Sequence, residues 1–281
     1  MIIKKKKMKG KVISEIFGRL GNEMFEIAAA ASFAKWNDKE YVGAVYKKSE
    51  EPPQEAKDTV LRKVNMNIDH NGYVIFSNGH PNAYLSSSYK IPTNIDKLII
   101  SNYLQDPKFI DKDVAFDLFG IYDSIEKEID EKYGDLSDYV CVNIRRGDYL
   151  LPIHKKIGFK TLTCNDIKEM IDKYFPNDKL LFVSDDIKWC KENFKDEKYY
   201  FADKPCNYKP EMDLYLQTKC GKGNIISCST FSWWGAYLNP NPDKKVVAPY
   251  PWFNNNFLRG FKQIYPKEWI KYNTDEHREE N

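Results

Sequence analysis

Between Tyr139 and Pro249 the chain alternates, again and again, between apolar runs of strand length and stretches with helical patterning. The strand-like runs are Tyr139-Val140-Cys141-Val142, Lys179-Leu180-Leu181-Phe182-Val183-Ser184, Tyr199-Tyr200-Phe201, Asn224-Ile225-Ile226-Ser227-Cys228 and Lys244-Lys245-Val246-Val247-Ala248-Pro249. Helices are predicted over Cys164 to Tyr174 with Asn165 as N-cap, over Ile187 to Phe194, and over Pro210 to Cys220, where Glu211 and Asp213 suit the positive end. Residues 150 to 162 read as a loop holding His154. Strands that recur with a helix between them call for a parallel sheet with helices on both faces.

A parallel sheet sends all its strand C-termini to one edge, and ligands of open α/β sheets bind just outside that edge. Three strand ends here are polar: Arg145-Arg146-Gly147-Asp148, Asp185-Asp186 and Ser229-Thr230-Phe231-Ser232. An arginine in such a place grips phosphate or carboxylate through two parallel charge-assisted hydrogen bonds. Successive strand residues point to opposite faces, so one arginine is expected to face a ligand and the other to pair with Asp148 or another acid. The Ser/Thr turn offers hydroxyls and helix-start amides to an anion, and a strand-end carboxylate suits the donor edge of guanine or ribose hydroxyls. Together these describe a nucleotide-diphosphate cleft. Each feature also has a plainer reading: a surface salt-bridge cluster for the arginines, and helix capping for the aspartates and the Ser/Thr turn. Asp185 and Asp186 are adjacent with no spacer, a poor metal-binding set. Trp233 and Trp234 read as core first and as a platform for a sugar ring second.

The first half is less regular. Val12 to Ile16 reads as a strand, Phe17-Gly18-Arg19-Leu20-Gly21-Asn22 as a turn, and Met24 to Ala34 as a helix. A strand, a glycine turn and a helix start can cradle a phosphate, though this spacing is neither a P-loop nor the dinucleotide fingerprint, and a tight turn without a ligand looks the same. Residues 37 to 95 are poorly patterned, with a loop at Glu50 to Gln54, a short helix over Ala56 to Val64 and a strand at Tyr73-Val74-Ile75-Phe76. Leu98 to Gln105 reads as a buried strand, and Phe109 to Phe119 and Ile121 to Tyr133 as helical. The lobe boundary is placed near Gly134.

With 281 residues the chain suits one large domain or two lobes. A net charge of only +2 gives nucleic acid no global field to bind, so any anion site must be local. Six cysteines without a Cys-x-x-Cys pair, and four histidines, argue against zinc and for reduced, buried thiols in a cytoplasmic protein. Lys4 to Lys7 read as a frayed terminus, with peripheral contact at the inner face of the membrane as the alternative. No apolar run has transmembrane length.

From Gly18-Arg19-Leu20-Gly21-Asn22 to Tyr265-Pro266-Lys267-Glu268-Trp269-Ile270 the chain resembles bacterial α-1,2-fucosyltransferases of glycosyltransferase family 11. The carrying motifs are the arginine strand, Phe182-Val183-Ser184-Asp185-Asp186 with Trp189, and Ser229 to Leu238. The resemblance implies an α/β fold of two Rossmann-like lobes of GT-B type with a cleft between them. Residues 1–134 would form the acceptor-side lobe and 135–281 the lobe that binds GDP-L-fucose, with a helical C-terminal tail packing back on the first. It implies metal-independent, inverting transfer from GDP-fucose, a co-substrate, to a galactose-containing oligosaccharide or glycolipid. No cofactor is expected, and no nucleic-acid partner.

The family's key arginine falls on Arg145, with Arg146 and Asp148 beside it; phosphate contacts fall on Ser229, Thr230 and Phe231, in the turn that includes Ser232. Guanine recognition falls on Asp185 or Asp186, and Asn22, with Gly18, Arg19 and Gly21, serves from the first lobe. Two departures stand out. Asn143 replaces a commoner His and supplies neither acid nor base, and Glu23 and Glu26 stand where Gln is commoner. Glu23 and Glu26 are expected to point away from a diphosphate, with one of them serving as base towards the acceptor as the alternative. No base is named, and a transferase of another GDP-sugar, or a binding protein without turnover, remains as the alternative.

Overall fold

The computed structural model describes residues 10–47, 60–77, 91–203, 209–254 and 262–275. The lysine run, the loop at Glu50 to Gln54, the first part of the helix expected from Ala56, and Cys206 lie outside them. Two compact units are present, Met1–Phe119 and Gly120–Asn281.

The first unit holds a parallel four-stranded sheet of order β2-β1-β4-β3. Its strands are β1 (Lys11–Ile16), β2 (Glu40–Tyr46), β3 (Val74–Phe76) and β4 (Lys97–Ile100). Helix α1 (Leu20–Trp36) crosses from β1 to β2, and its alanines let it lie close on the sheet. Ala29, Ala30, Phe33 and Ala34 pack with Val12, Leu98 and Ile100. Strand β2 lies in the stretch that sequence patterning left blank. The strand expected over Leu98 to Gln105 stops at Ile100; a 3-10 turn follows at Pro107–Phe109, capped by Asp106, which accepts from the Lys108 amide at 2.9 Å. Val60 to Val64, expected as helix, form a turn. Helix α2 (Lys112–Phe119) ends the unit.

The second unit begins earlier than Gly134. Helix α3 (Asp123–Tyr133) belongs to it, because Ile125 and Ile129 are buried and Tyr122 meets Tyr215 edge to face at 5.8 Å. Lys219 also reaches Glu126 at 2.9 Å and Asp130 at 3.0 Å. The isoleucine periodicity revealed that helix but not which unit it packs on.

Six parallel strands follow in the order β10-β9-β8-β5-β6-β7. They are β5 (Tyr139–Ile144), β6 (Lys179–Ser184), β7 (Tyr199–Phe201), β8 (Gly223–Ile225), β9 (Lys245–Tyr250) and β10 (Ile270–Asn273). The intervening helices are α4 (Pro152–Ile157), α5 (Cys164–Tyr174), α6 (Ile187–Asn193), α7 (Pro210–Lys219) and α8 (Thr230–Tyr237). One core joins Val140, Val142, Phe182, Ile225 and Val247 of the sheet to Ile167, Met170 and Phe194.

Three expectations change here. Helix α4 occupies the expected loop, opened by Pro152 and closed by Gly158 in the left-handed region. Thr163, not Asn165, caps α5, through a capping box with Asp166. The described part of the tail is strand rather than helix: β10 pairs with β9, Ile270 opposite Val247, and seats Tyr272 in this unit's core. Cys141, Cys190, Cys220 and Cys228 are buried free thiols, and burial pushes Cys190 up to about 11 and Cys228 up to about 12. Among the described residues no helix is long and apolar enough to cross a membrane.

Candidate active site

Strand β5 runs between β6 and β8, so three strand ends meet at one edge; Ile144 stands opposite Ser184, and Val142 opposite Ile225. Ser227 ties two of them together. Its hydroxyl donates to the Asn143 carbonyl at 2.7 Å and accepts from the Arg145 amide at 2.8 Å. Ser232, wholly buried, accepts from the Ser227 amide at 3.1 Å and donates to the Ser227 carbonyl at 3.2 Å. Its hydroxyl shapes the turn and does not stand open to a ligand. Ser229 holds the N-cap position of α8 without a side-chain cap, and Thr230 and Phe231, both half-buried, begin the helix. Trp233 and Trp234 are fully buried: Trp233 donates to the Ile264 carbonyl at 2.7 Å and stacks on Tyr237 at 4.5 Å. The tryptophan pair is core.

Both arginines follow the last residue of β5, Ile144, and both pair with aspartates, so the expected split into one ligand-facing and one acid-paired arginine is not what the structure shows. Arg145 places Nη1 at 2.8 Å from Asp185 Oδ2, directs Nη2 to Asp148 Oδ1, and lies over the Tyr149 ring at 5.4 Å. Arg146 places Nε at 3.0 Å from Asp186 Oδ2 and its guanidinium 3.8 Å above Trp189. Asp185 serves both residues, because its Oδ1 accepts from the Arg146 amide at 2.9 Å. Asp186 also caps α6, accepting from the Trp189 amide at 3.2 Å. The aspartates thus cap and brace at once, and neither of the two readings of them excludes the other.

Gly147 makes this possible, since a β-carbon there would collide with Asp185 Oδ2. A guanidinium carries five N–H donors, and these carboxylates engage only part of Arg145's set. At 24 % exposure its side chain is fixed in direction yet open to a ligand.

Sequence reading missed three participants. Ser227 reads as the polar end of a strand, Tyr149 closes the arginine stretch with no role of its own, and His154 sits in a loop without a direction. The Pro152 and Gly158 punctuation of α4 was the available signal for the last. His154 Nδ1 lies 3.4 Å from Asp148 Oδ2, and the Tyr149 hydroxyl donates to the Cys228 carbonyl at 3.2 Å.

The remaining expected residues lie in the first unit. Gly18 adopts φ +86°, Arg19 is the exposed, extended N-cap of α1, and Gly21 is buried in the first turn. The Asn22 amide donates to the Arg19 carbonyl at 2.7 Å, and Asn22 Oδ1 accepts from Gln105 at 3.0 Å. Glu23 and Glu26 are both buried, and Glu26 Oε2 accepts from the Phe17 amide at 2.9 Å. Glu26 is thereby turned onto the end of β1.

Fold and site together define an α/β protein of two parallel-sheet units, one of them bearing a pair of aspartate-braced arginines at its carboxyl edge. Residues 2–273 match the family model described as Glycosyl transferase family 11. The chain belongs to that family, and its two α/β units are of the GT-B type the family resemblance implies. The Escherichia coli O-antigen biosynthesis glycosyltransferase WbnK is 34% identical over 173 residues, 55% of this chain and 55% of that protein. The Escherichia coli alpha-1,2-colitosyltransferase is 33% identical over 166 residues, 54% of each. The matched stretch thus spans about half the length of these curated relatives. Among solved structures, the fucosyltransferase NodZ from Bradyrhizobium aligns with a TM-score of 0.49 at 14% identity, over 83% of this chain and 93% of that one.

Proposed function

We propose that this glycosyltransferase moves L-fucose from GDP-β-L-fucose to the 2-hydroxyl of a galactose-terminated glycan, with inversion and without a metal ion. The observation that supports this reading best is Arg145, held between Asp148 and Asp185 at the end of β5, where Ser227 ties the approach to the Ser229–Phe231 turn. Breaking the bond between fucose and GDP leaves negative charge on the β-phosphate. Arg145, the Ser229 and Thr230 hydroxyls and the amides that open α8 would receive it, each well-placed donor contributing about 3–4 kcal/mol. The reaction is direct displacement at the anomeric carbon, through a transition state with oxocarbenium character.

Asp148, Asp185 and Asp186 each face a guanidinium and not one another, which argues for charge stabilisation by arginine in place of a metal. Asp185 and Asp186 keep partial exposure through which one could still meet the base. The Gly18–Asn22 turn of the first unit is assigned to the acceptor side. Free thiols suit a reducing compartment, the cytoplasm.

A second donor has its own support, because a colitosyltransferase is nearly as similar to this chain as WbnK is. Colitose lacks the 3-hydroxyl of fucose. A site built to bond that hydroxyl rejects the deoxy sugar by about 10⁴-fold, whereas an apolar one barely discriminates. Incubation of GDP-fucose and GDP-colitose, separately, with an array of galactose-terminated acceptors tests both readings, with linkage determined on the product. An α-1,2-fucosylated galactoside is the expected product. Colitosyl product alone would move the assignment to the second donor, and no product from either donor would overturn the transferase reading.

A further inference from the structure

We propose that His154 is the general base of this transferase, oriented by Asp148, an inference that rests on the transfer reaction proposed above. Helix α4 brings His154 against the 3-10 turn Gly147–Leu150, with Nδ1 3.4 Å from Asp148 Oδ2. Nδ1 is buried and makes no hydrogen bond as the protein stands, yet the side chain is 27 % exposed, so the open edge of the ring is the Nε2 edge. A carboxylate facing Nδ1 favours the tautomer with the proton on Nδ1, which leaves the Nε2 lone pair free to accept one. Hydrogen bonds of this kind are commonly long without substrate and tighten in the reacting complex.

The ring is also fixed in plane. Tyr149 and Phe159 flank it at 6.4 and 5.4 Å, and Tyr149 itself lies under Arg145. Asp148 therefore has two tasks: Oδ1 holds Arg145 and Oδ2 faces His154. The charged groups around the imidazole are Asp148 in front, Arg145 behind Asp148, and Lys155 and Lys156 on its own helix.

An inverting displacement needs its leaving-group stabiliser and its base apart, by roughly 6.5–9.5 Å between the acting groups in glycoside hydrolysis. Here the Asp148 carboxylate stands between the two groups, Oδ1 holding the Arg145 guanidinium and Oδ2 facing the imidazole. In the step proposed, the acceptor 2-hydroxyl oxygen forms its bond to the anomeric carbon as its proton passes to His154 Nε2. The bond from that carbon to the phosphate oxygen breaks, and its electron pair stays on GDP beside Arg145. Asn143, which can neither give nor take this proton, leaves the role vacant on β5 itself.

The test compares wild type with His154→Gln and Asp148→Asn in steady-state transfer, as a function of pH, with GDP affinity by calorimetry on the same preparations. His154→Gln is expected to lower kcat about 10²–10⁴-fold, the usual reach of a general base, and to abolish the acid limb of the pH profile while GDP affinity stays within about threefold. Added imidazole should partly restore turnover to His154→Ala. Near-normal kcat with the acid limb intact would overturn the proposal, as would parallel loss of GDP binding, which marks a structural role. A wild type that binds GDP but transfers no sugar overturns the transfer reading itself, and the base with it.

Discussion

Two turns in this molecule leave the C-terminal end of an inner strand of a parallel sheet, and they are built from different materials. The turn after β1 is made of backbone: Gly18 at positive φ, Asn22 bonded back to Arg19, and Glu26 holding the Phe17 amide from behind. The turn after β5 is made of charge: Arg145 and Arg146 are cross-linked to three aspartates and, through Ser227, to the approach of α8. The same topological position therefore yields two kinds of surface. The first turn offers chiefly backbone groups, whereas the second offers a guanidinium with donors left over for a diphosphate. That contrast is why the donor is assigned to the second unit and the neutral hydroxyls of an acceptor to the first.

The harshest way to break this contrast is to remove its charge. Arg145→Ala takes away the leaving-group contact and leaves Asp148 and Asp185 without their shared cation. Transfer should fall by at least about 10³-fold, at the upper end of what one lost donor costs, because two acids then face the phosphate without the guanidinium between them. Arg145→Lys should rescue little, since one ammonium cannot reproduce the fork between two carboxylates. Circular dichroism should show both variants folded, and near-normal turnover in either would remove Arg145 from the mechanism.

Glycines sharpen the same comparison. At Gly147 the obstacle to a side chain is the Asp185 carboxylate, so Gly147→Ala must push Asp185 away from both arginines. A loss of about 1–3 kcal/mol in stability is expected, with a fall in kcat larger than that destabilisation explains. At Gly18 the obstacle is φ +86°, and the nearest atom to a new β-carbon is Asn22 Nδ2 at 2.9 Å. Gly18→Ala should cost about 1–2 kcal/mol in chemical denaturation, from backbone strain. If Gly147→Ala leaves kcat untouched, Asp185 does not position the arginines.

These contrasts were legible in the sequence to unequal degrees. The strand-helix alternation from Tyr139 and the three polar strand ends were visible because each is local: a run of apolar residues followed by charge. The pairing of Arg146 with Asp186, with Trp189 beneath, joins residues forty positions apart, and nothing in either segment states the other's address. Ser227 escaped notice because its role depends on register: it lies where the β8 segment leaves the sheet beside β5. Helix α3 was seen, but its unit was mistaken, because amphipathic spacing says that a face is buried and not against what. Strand β10 was missed because four residues of mixed polarity, Ile270 to Asn273, carry too short an alternation to register alone.

The smallest expected effect concerns a carboxylate of the first unit that holds structure, not ligand. Asp111 joins the end of α1 to the start of α2: Lys35 Nζ and Trp36 Nε1 donate to it at 2.8 and 3.1 Å, and the Val114 amide at 3.2 Å. Its pKa is lowered, first by the hydrogen bond from Lys35, against opposing desolvation. A depressed carboxyl contributes stability that is present above its unfolded pKa, near the ordinary 3.8, and is lost as pH falls through the folded value. Asp111→Asn keeps the cap but loses the charge, and should therefore cost roughly 0.3–1 kcal/mol at pH 7, the usual worth of a negative charge at a helix start. The gap should narrow at an acidic pH below the ordinary 3.8, as the wild-type carboxyl takes up its own proton. Urea denaturation at the two pH values measures it, and an equal gap at both would mean that Asp111 acts by shape and not by charge. Transfer at pH 7 should be unchanged, in contrast to the loss at Arg145, because this ion pair belongs to the turn-and-backbone unit and touches neither turn.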